Sequence, residues 1–251
     1  MACEDRGWLI TQLRAIAALA WLDGVVAAVR APLWVASYLT PPLSILMIIR
    51  FVSYGGALAF GLVGGLVMIV VSNGIGLLSD AAAYRLHFKF QDLMLAGPMS
   101  QWAYMLGLAL AGLLFSAPGI AVFVALMGAL GIHVRDGLEA AFAVAALWAA
   151  ASGMGFSLSQ LFRDLKEVWS VSSILAFAMS VLPPVYYSIY ALPAYARYLS
   201  LLIPTASAAA LLQESMGIVV LGPALRVLSA SILVAEAVAF FAAAALRRSG
   251  Q

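Results

Sequence analysis

The sequence predicts an all-α polytopic membrane protein: six transmembrane helices, an N-terminal interfacial helix, and re-entrant outer helices between the fifth and sixth spans. Three observations predict it. The 251 residues are 65% hydrophobic and 10% charged, with a mean hydropathy of +1.06, whereas a soluble surface needs about a quarter charged residues. Charge-free runs of about 20 residues, the length that crosses a bilayer core, recur along the chain. Six Trp, nine Tyr and twelve Phe suit the headgroup interface. So apolar a chain cannot stay solvated as a disordered one.

Taken in order, residues 7–30 come first, with Arg14, Asp23 and Arg30 spaced among Leu, Ile, Ala and Trp. They admit two readings. Asp23-Gly24 and the immediate restart at Pro32 favour a helix in the interface over a seventh span. Residues 32–52 form the first span and 57–79 the second, a hairpin closed by Ser53-Tyr54-Gly55-Gly56. A helix over 81–97 follows, with Tyr84, Phe88 and the 93–95 region on its apolar side and Arg85, Lys89 and Asp92 at polar spacing. Gly97-Pro98 stops it. The third span, 102–131, is kinked at Pro118. Residues 138–161 make the fourth, 168–190 the fifth and 225–246 the sixth. The outer segment 191–222 is too apolar for an aqueous loop yet is broken by Pro193, Pro204 and Gly222. Short helices that enter and turn back, packed against protein, satisfy that pattern.

With six spans both termini share a side. That side holds Arg6, Arg14, Arg30, Arg85, Lys89, Arg163, Lys166, Arg247 and Arg248, against Arg50, Arg135, Arg197 and Arg226 opposite. The excess places the termini in the cytoplasm of a multi-pass inner (cytoplasmic) membrane protein. The acidic Glu4-Asp5 start indicates no removed signal peptide. The single Cys3 allows no internal disulfide, and scattered basic residues indicate no nucleic-acid partner.

No GxxxxGK[ST] motif and no Gly-Lys pair exists, so the chain cannot cradle nucleotide phosphates alone. It is not expected to be an enzyme, and no catalytic residue is assigned. His87 and His133 fall on opposite sides of the membrane, which argues against a metal site. His87 itself reads as a loop or interface histidine. The small residues Ser152-Gly153-Met154-Gly155 read as a helix-packing surface. Glu236, ten residues past Arg226, sits about 15 Å deep at 1.5 Å per residue. It is either a lining or proton site of a substrate route, or an interhelical hydrogen-bonding group with its carboxyl protonated. Asn73 reads first as interhelical hydrogen bonding. The 81–97 helix is either a surface connector or a lever docked on a partner.

This order of parts resembles the permease subunit of ABC-2 type ABC transporters, over nearly the whole length. The carriers are Arg30-Ala31-Pro32 and Pro41-Pro42, then Leu93-Met94-Leu95-Ala96-Gly97-Pro98-Met99-Ser100 with Tyr104 and Gly107. The second half adds Leu158 to Asp164, Leu182-Pro183-Pro184-Val185-Tyr186-Tyr187, Leu192-Pro193, Tyr198-Leu199 and Ile203-Pro204-Thr205. Ile203 stands where the family has Asn, and Phe88-Lys89 occupies the neighbourhood of a family Gly. The resemblance implies a dimer with a second permease, a homodimer or a heterodimer. It also implies a cytoplasmic ABC ATPase partner that holds ATP and Mg, with no cofactor bound by this chain. It makes Arg85, His87, Lys89, Asp92 and Pro98 the ATPase-coupling residues. The translocation path would run along the second and fifth spans, with Asn73, Tyr186, Tyr187 and Glu236 as candidates. Function would be ATP-driven transport, an exporter by family. The alternative is a proton-coupled secondary transporter using Glu236, for which no internal symmetry between halves is found.

Overall fold

The computed structural model describes residues 2–53 and 56–246. Of the residues named above, Tyr54, Gly55, Arg247 and Arg248 lie outside the described residues, as do the side chains of Cys3, Glu4, Asp5, Arg6, Asp92 and Leu95. Among the described residues every regular element is helical. Helix α1 (Ala2–Ala20) runs through a π-helical stretch, Trp21–Val26, into α2 (Ala27–Arg30). Ala31 alone separates this from α3 (Pro32–Val52), which Pro32 starts without loss of a hydrogen bond. Then follow α4 (Ala57–Leu86), α5 (Phe90–Ala96), α6 (Gln101–Ala129) and α7 (Gly137–Ser159). The last four are α8 (Leu165–Val181), α9 (Ala194–Ser200), α10 (Pro204–Ser215) and α11 (Pro223–Leu246). Ser100, Asp136 and Asp164 cap α6, α7 and α8 by accepting backbone N–H donors of the first turn.

Six helical stretches are long and apolar enough to cross a membrane: Gly7–Arg30, Pro32–Val52, Ala57–Leu86, Gln101–Ala129, Gly137–Ser159 and Pro223–Leu246. This is a multi-pass membrane protein. The set is not the one expected from the sequence, because it contains residues 7–30 and leaves out α8. The fifth helix was expected over 168–190 and instead ends at Val181. Pro183 and Pro184 lack the amide donors that would continue it.

Helix α4 is the axis of the bundle, buried without a break from Gly61 to Val71. Its neighbours reveal direction. Gly65 and Ile69 meet Phe123 and Gly119 of α6, and Gly61 and Gly76 meet Leu46 and Tyr38 of α3, so both run against α4. So does α8, whose Ser172 hydroxyl donates to the Ile75 carbonyl and whose Val168 packs with Leu78 and Ala82. Helix α7 runs with α4, since Gly74 meets Ala151 and Gly155 meets Leu78. Helix α11 runs with α7 in turn, matching Arg226 to Glu139 and Phe240 to Gly153. Thus α3, α4, α6, α7, α8 and α11 alternate strictly up and down.

The N-terminal helix breaks that alternation. The Trp8 ring lies tilted against that of Trp102, Leu19 packs on Gly107, and Gly24 presses on Ala111 and Leu114, so α1 runs the same way along α6 as α3 does. Two successive helices running in one direction, joined by one residue, cannot both be complete crossings. The path is oblique: Trp8 to Gly24 is about 24 Å of helix, while its contacts advance only about 14–18 Å along α6.

The helix expected over 81–97 is two pieces. Residues 81–86 continue α4 and only Phe90–Ala96 form α5, with Lys89 between them at φ 49°, in the left-handed region. The apolar face that was to unite them is divided, because Tyr84 bonds Asp23 while Phe88 packs on the rings of Tyr84 and His87.

Within 191–222, α10 is buried among α4, α7 and α11. Several of its polar groups are satisfied from inside the bundle, whereas Gln213 Oε1 and Glu214 Oε2 are buried with no hydrogen-bond partner among the described residues. Thr205 Oγ1 donates to the Met179 carbonyl at 2.7 Å, Gln213 Nε2 to the carbonyls of Val185 and Tyr187, and the Ser215 carbonyl accepts from Arg135 N and Asp136 N. At its end Arg226 Nε donates to Glu139 Oε1 at 2.8 Å, with Glu214 at 3.7 Å and Asp136 at 3.8 Å. Burial first, then the Glu139 charge, pushes the Glu214 carboxyl above its ordinary range against the opposing pull of Arg226. A carboxyl raised on folding favours the folded state while protonated, and that contribution is lost as pH rises. Glu214→Gln is therefore expected to raise the melting temperature in detergent at neutral pH. The gain should shrink towards about pH 4, where both forms are neutral; an unchanged or lowered melting temperature at neutral pH would refute it.

Candidate functional site

Asn73, Leu77, Asp80 and Tyr84 fall three or four residues apart on α4 and so share one face. That face fronts a cavity of about 180 Å³ where the π-helical stretch, α3, α4 and α6 meet. Asp23 enters from the π-helical stretch because Gly24 behind it lies against the Ala111 backbone, where a Cβ would not fit. A second cavity, about 630 Å³, opens between α3, α4 and α8. Trp34, Tyr38 and Asp80 border both, so the two form one recess partitioned by these side chains. A third space of about 630 Å³, bordered by Phe88, Lys89 and Leu93, lies beyond Asp23 and Tyr84.

The polar chemistry of the recess is mostly hydrogen-bond acceptance. Tyr84 OH donates to Asp23 Oδ2 at 2.9 Å, and Asn73 Nδ2 donates to the Ile69 carbonyl at 3.0 Å. No Lys, Arg or His pairs with Asp23 or Asp80 among the described residues, where the ion pairs belong to Arg226. Serines 37, 72, 79, 172 and 173 add hydroxyls to the larger cavity, and Trp169 and Phe177 add aromatic faces. No group of three His, Cys, Asp or Glu among the described residues is placed to hold a metal ion.

Of the coupling residues expected from the sequence, Arg85 has a setting of its own. Arg85 turns into the bundle, donating from Nη2 to the carbonyls of Ser159 and Phe162, both at 2.7 Å, and from Nη1 to that of Gln160 at 3.5 Å. It fastens α4 to the end of α7. His87 and Lys89 are exposed in the connector, and the side chain of Asp92 lies outside the described residues. Pro98 offers its carbonyl to Gln12 Nε2 at 2.6 Å, while Gln12 Oε1 accepts from Ser100 N and Oγ. Gln12 is fully buried and ties α1 to the turn between α5 and α6.

Of the path residues only Asn73 borders the recess. The Tyr186 ring covers Gly64, and its hydroxyl reaches Met68 Sδ at 3.4 Å, behind the larger cavity. Tyr187 is half-exposed and its carbonyl serves Gln213. Glu236 sits on α11, which packs on α7 and α10, and borders none of these three cavities. Sequence reasoning missed Asp80, which falls between the expected 57–79 span and the 81–97 helix, and left Asp23 in an interface. For Asp80 the available signal was its three- and four-residue spacing with Asn73, Leu77 and Tyr84, which puts all four on one α4 face. The sequence matches no family model and no curated protein.

Proposed function

We propose that this chain is the membrane-spanning permease subunit of an ABC-2 type ABC transporter. It works as a homodimer or with a second permease, and exports substrate across the cytoplasmic membrane. A separate cytoplasmic ATPase subunit hydrolyses ATP with Mg. The observation that carries the reading is the Asp80 recess, because its larger part lies between α4 and α8, the second and fifth of the alternating helices. These are the two that the family resemblance assigns to the path. The α5 end supports it further. Gln12 and Arg85 join that end to α1, α6 and α7, and Tyr84, one residue before Arg85, bonds Asp23 at the recess. Force applied at α5 would reach the cavity through these contacts, and a partner can bias the bundle only by contacting α5 differently in its two states. In this frame α1 lies obliquely at the cytoplasmic interface.

A second reading, proton-coupled transport through Glu236, draws on one observation: Glu236 Oε2 is buried with no hydrogen-bond partner among the described residues. Affinity purification of the tagged chain from its native membrane separates the two. The permease reading expects a vanadate-sensitive ATPase subunit to co-purify in fixed ratio. Isolation without any ATPase, with proton-driven uptake abolished by Glu236→Gln, would replace it with the second.

A further inference from the structure

We propose that the Asp80 recess binds an amphipathic organic cation, a positive nitrogen or phosphorus centre carried on an apolar body. The inference rests on the permease reading and names the class of substrate for it. Two carboxylates, Asp23 and Asp80, face the recess, and neither has a basic partner among the described residues. A carboxylate within a membrane bundle is costly unless something positive or wet compensates it. Asn73 points the same way. Its side chain is buried, at 8% exposure, and with Nδ2 committed to Ile69 its oxygen remains without a donor at the cavity. Three acceptors therefore converge where no side-chain cation stands among the described residues.

The walls fit the rest of such a molecule. Trp34 and Tyr38 stand between the two cavities, Phe115 closes the smaller, and Trp169 and Phe177 line the larger. Aromatic faces attract cations and accept apolar groups, with Trp the strongest. At about 630 Å³ the larger cavity falls in the usual range of small-molecule sites, about 300–1,000 Å³. Among the described residues Lys89 is the one cation bordering the three spaces, and it lies beyond the Asp23–Tyr84 hydrogen bond, outside the recess. An anion of the same shape would meet the two carboxylates and be rejected.

Tetraphenylphosphonium and tetraphenylborate share that shape and differ in sign, which makes them the deciding pair. Equilibrium binding is measured on the purified full-length chain in lipid nanodiscs. The phosphonium is expected to bind at least tenfold more tightly than the borate. Asp80→Asn should weaken phosphonium binding at least tenfold while leaving borate unchanged or improved, and Asp80→Glu should restore part of it. Equal binding of the two ions, or an Asp80→Asn variant that is folded and binds phosphonium normally, would overturn the proposal. Should Asp80→Asn not fold, Asp23→Asn and the wild-type ion comparison decide by the same criteria. The assay needs no ATPase. A chain that co-purifies with an ATPase yet ignores the charge refutes this inference alone, and one that binds the phosphonium without any ATPase partner refutes the permease reading alone.

Discussion

Arg85→Ala is expected to destabilise the protein by about 2–4 kcal/mol: a hydrogen bond from a charged donor contributes about 1.5–3 kcal/mol, two short ones are lost, and the part-buried site lowers their sum. The guanidinium spans the carbonyls of Ser159 and Phe162, with Gln160 at longer range. These are carbonyls at and just past the last turn of α7, which have no amide partner of their own and carry the negative end of the helix dipole. Removing the side chain leaves them in a partly buried site and unfastens α4 from α7 at the α5 end. Arg85→Lys should recover little, because the lysine side chain is one bond too short to bring its ammonium to the place of Nη2, the single nitrogen that serves both close carbonyls. Thermal unfolding in detergent reads the effect. A residue acting only by touching an ATPase would leave the melting temperature unchanged, so an unchanged value for Arg85→Ala would restore the surface-coupling role.

The second large effect lies one helical turn inward. A Cβ on Gly155 would stand 2.7 Å from the Gly74 carbonyl oxygen and 3.1 Å from the Leu78 nitrogen. Both are backbone atoms of α4 and cannot rotate away. Gly74 is itself closed off by Ala151, so the crossing has no slack in either direction. Gly155→Ala is therefore expected to separate α4 from α7 and cost about 1–3 kcal/mol, with Gly155→Val costing more. Gly128, near the end of α6, has nothing within 4 Å of its Cβ position. Gly128→Ala is the matched control, expected to be neutral or stabilising by up to about 1 kcal/mol. Equal melting temperatures for the Gly155 and Gly128 variants would show that the close crossing contributes nothing.

The helices were legible because a bilayer imposes one length and one composition on each of them. The third, fourth and sixth expected boundaries fall within two residues of α6, α7 and α11. The packing role of Ser152 to Gly155 was legible too, since small residues in an apolar run serve close approach. Asp80 and Arg85 were not. A charge ordinarily marks the end of a span, yet α4 continues through both, because Arg85 finds carbonyls at the end of α7 and Asp80 faces a cavity. Gln12 was invisible for a different reason: its partners, Pro98 and Ser100, lie more than eighty residues away. Local pattern reads the distance between charges along the chain, whereas their solvation depends on what another helix brings alongside.

The slant of the N-terminal helix across α6 carries one more consequence. Its π-helical stretch is held close to Ala111 and Leu114 while Asp23 and Ala27 border open space beside α4. The wedge between the leaning helix and α4 is the smaller cavity, so the angle of that helix sets the volume of the chamber. A swing that brought it upright against α4 would squeeze the chamber shut, and a swing outward would merge it with the space beside Lys89. The helix outside the alternating six is thus the wall whose inclination meters the room inside.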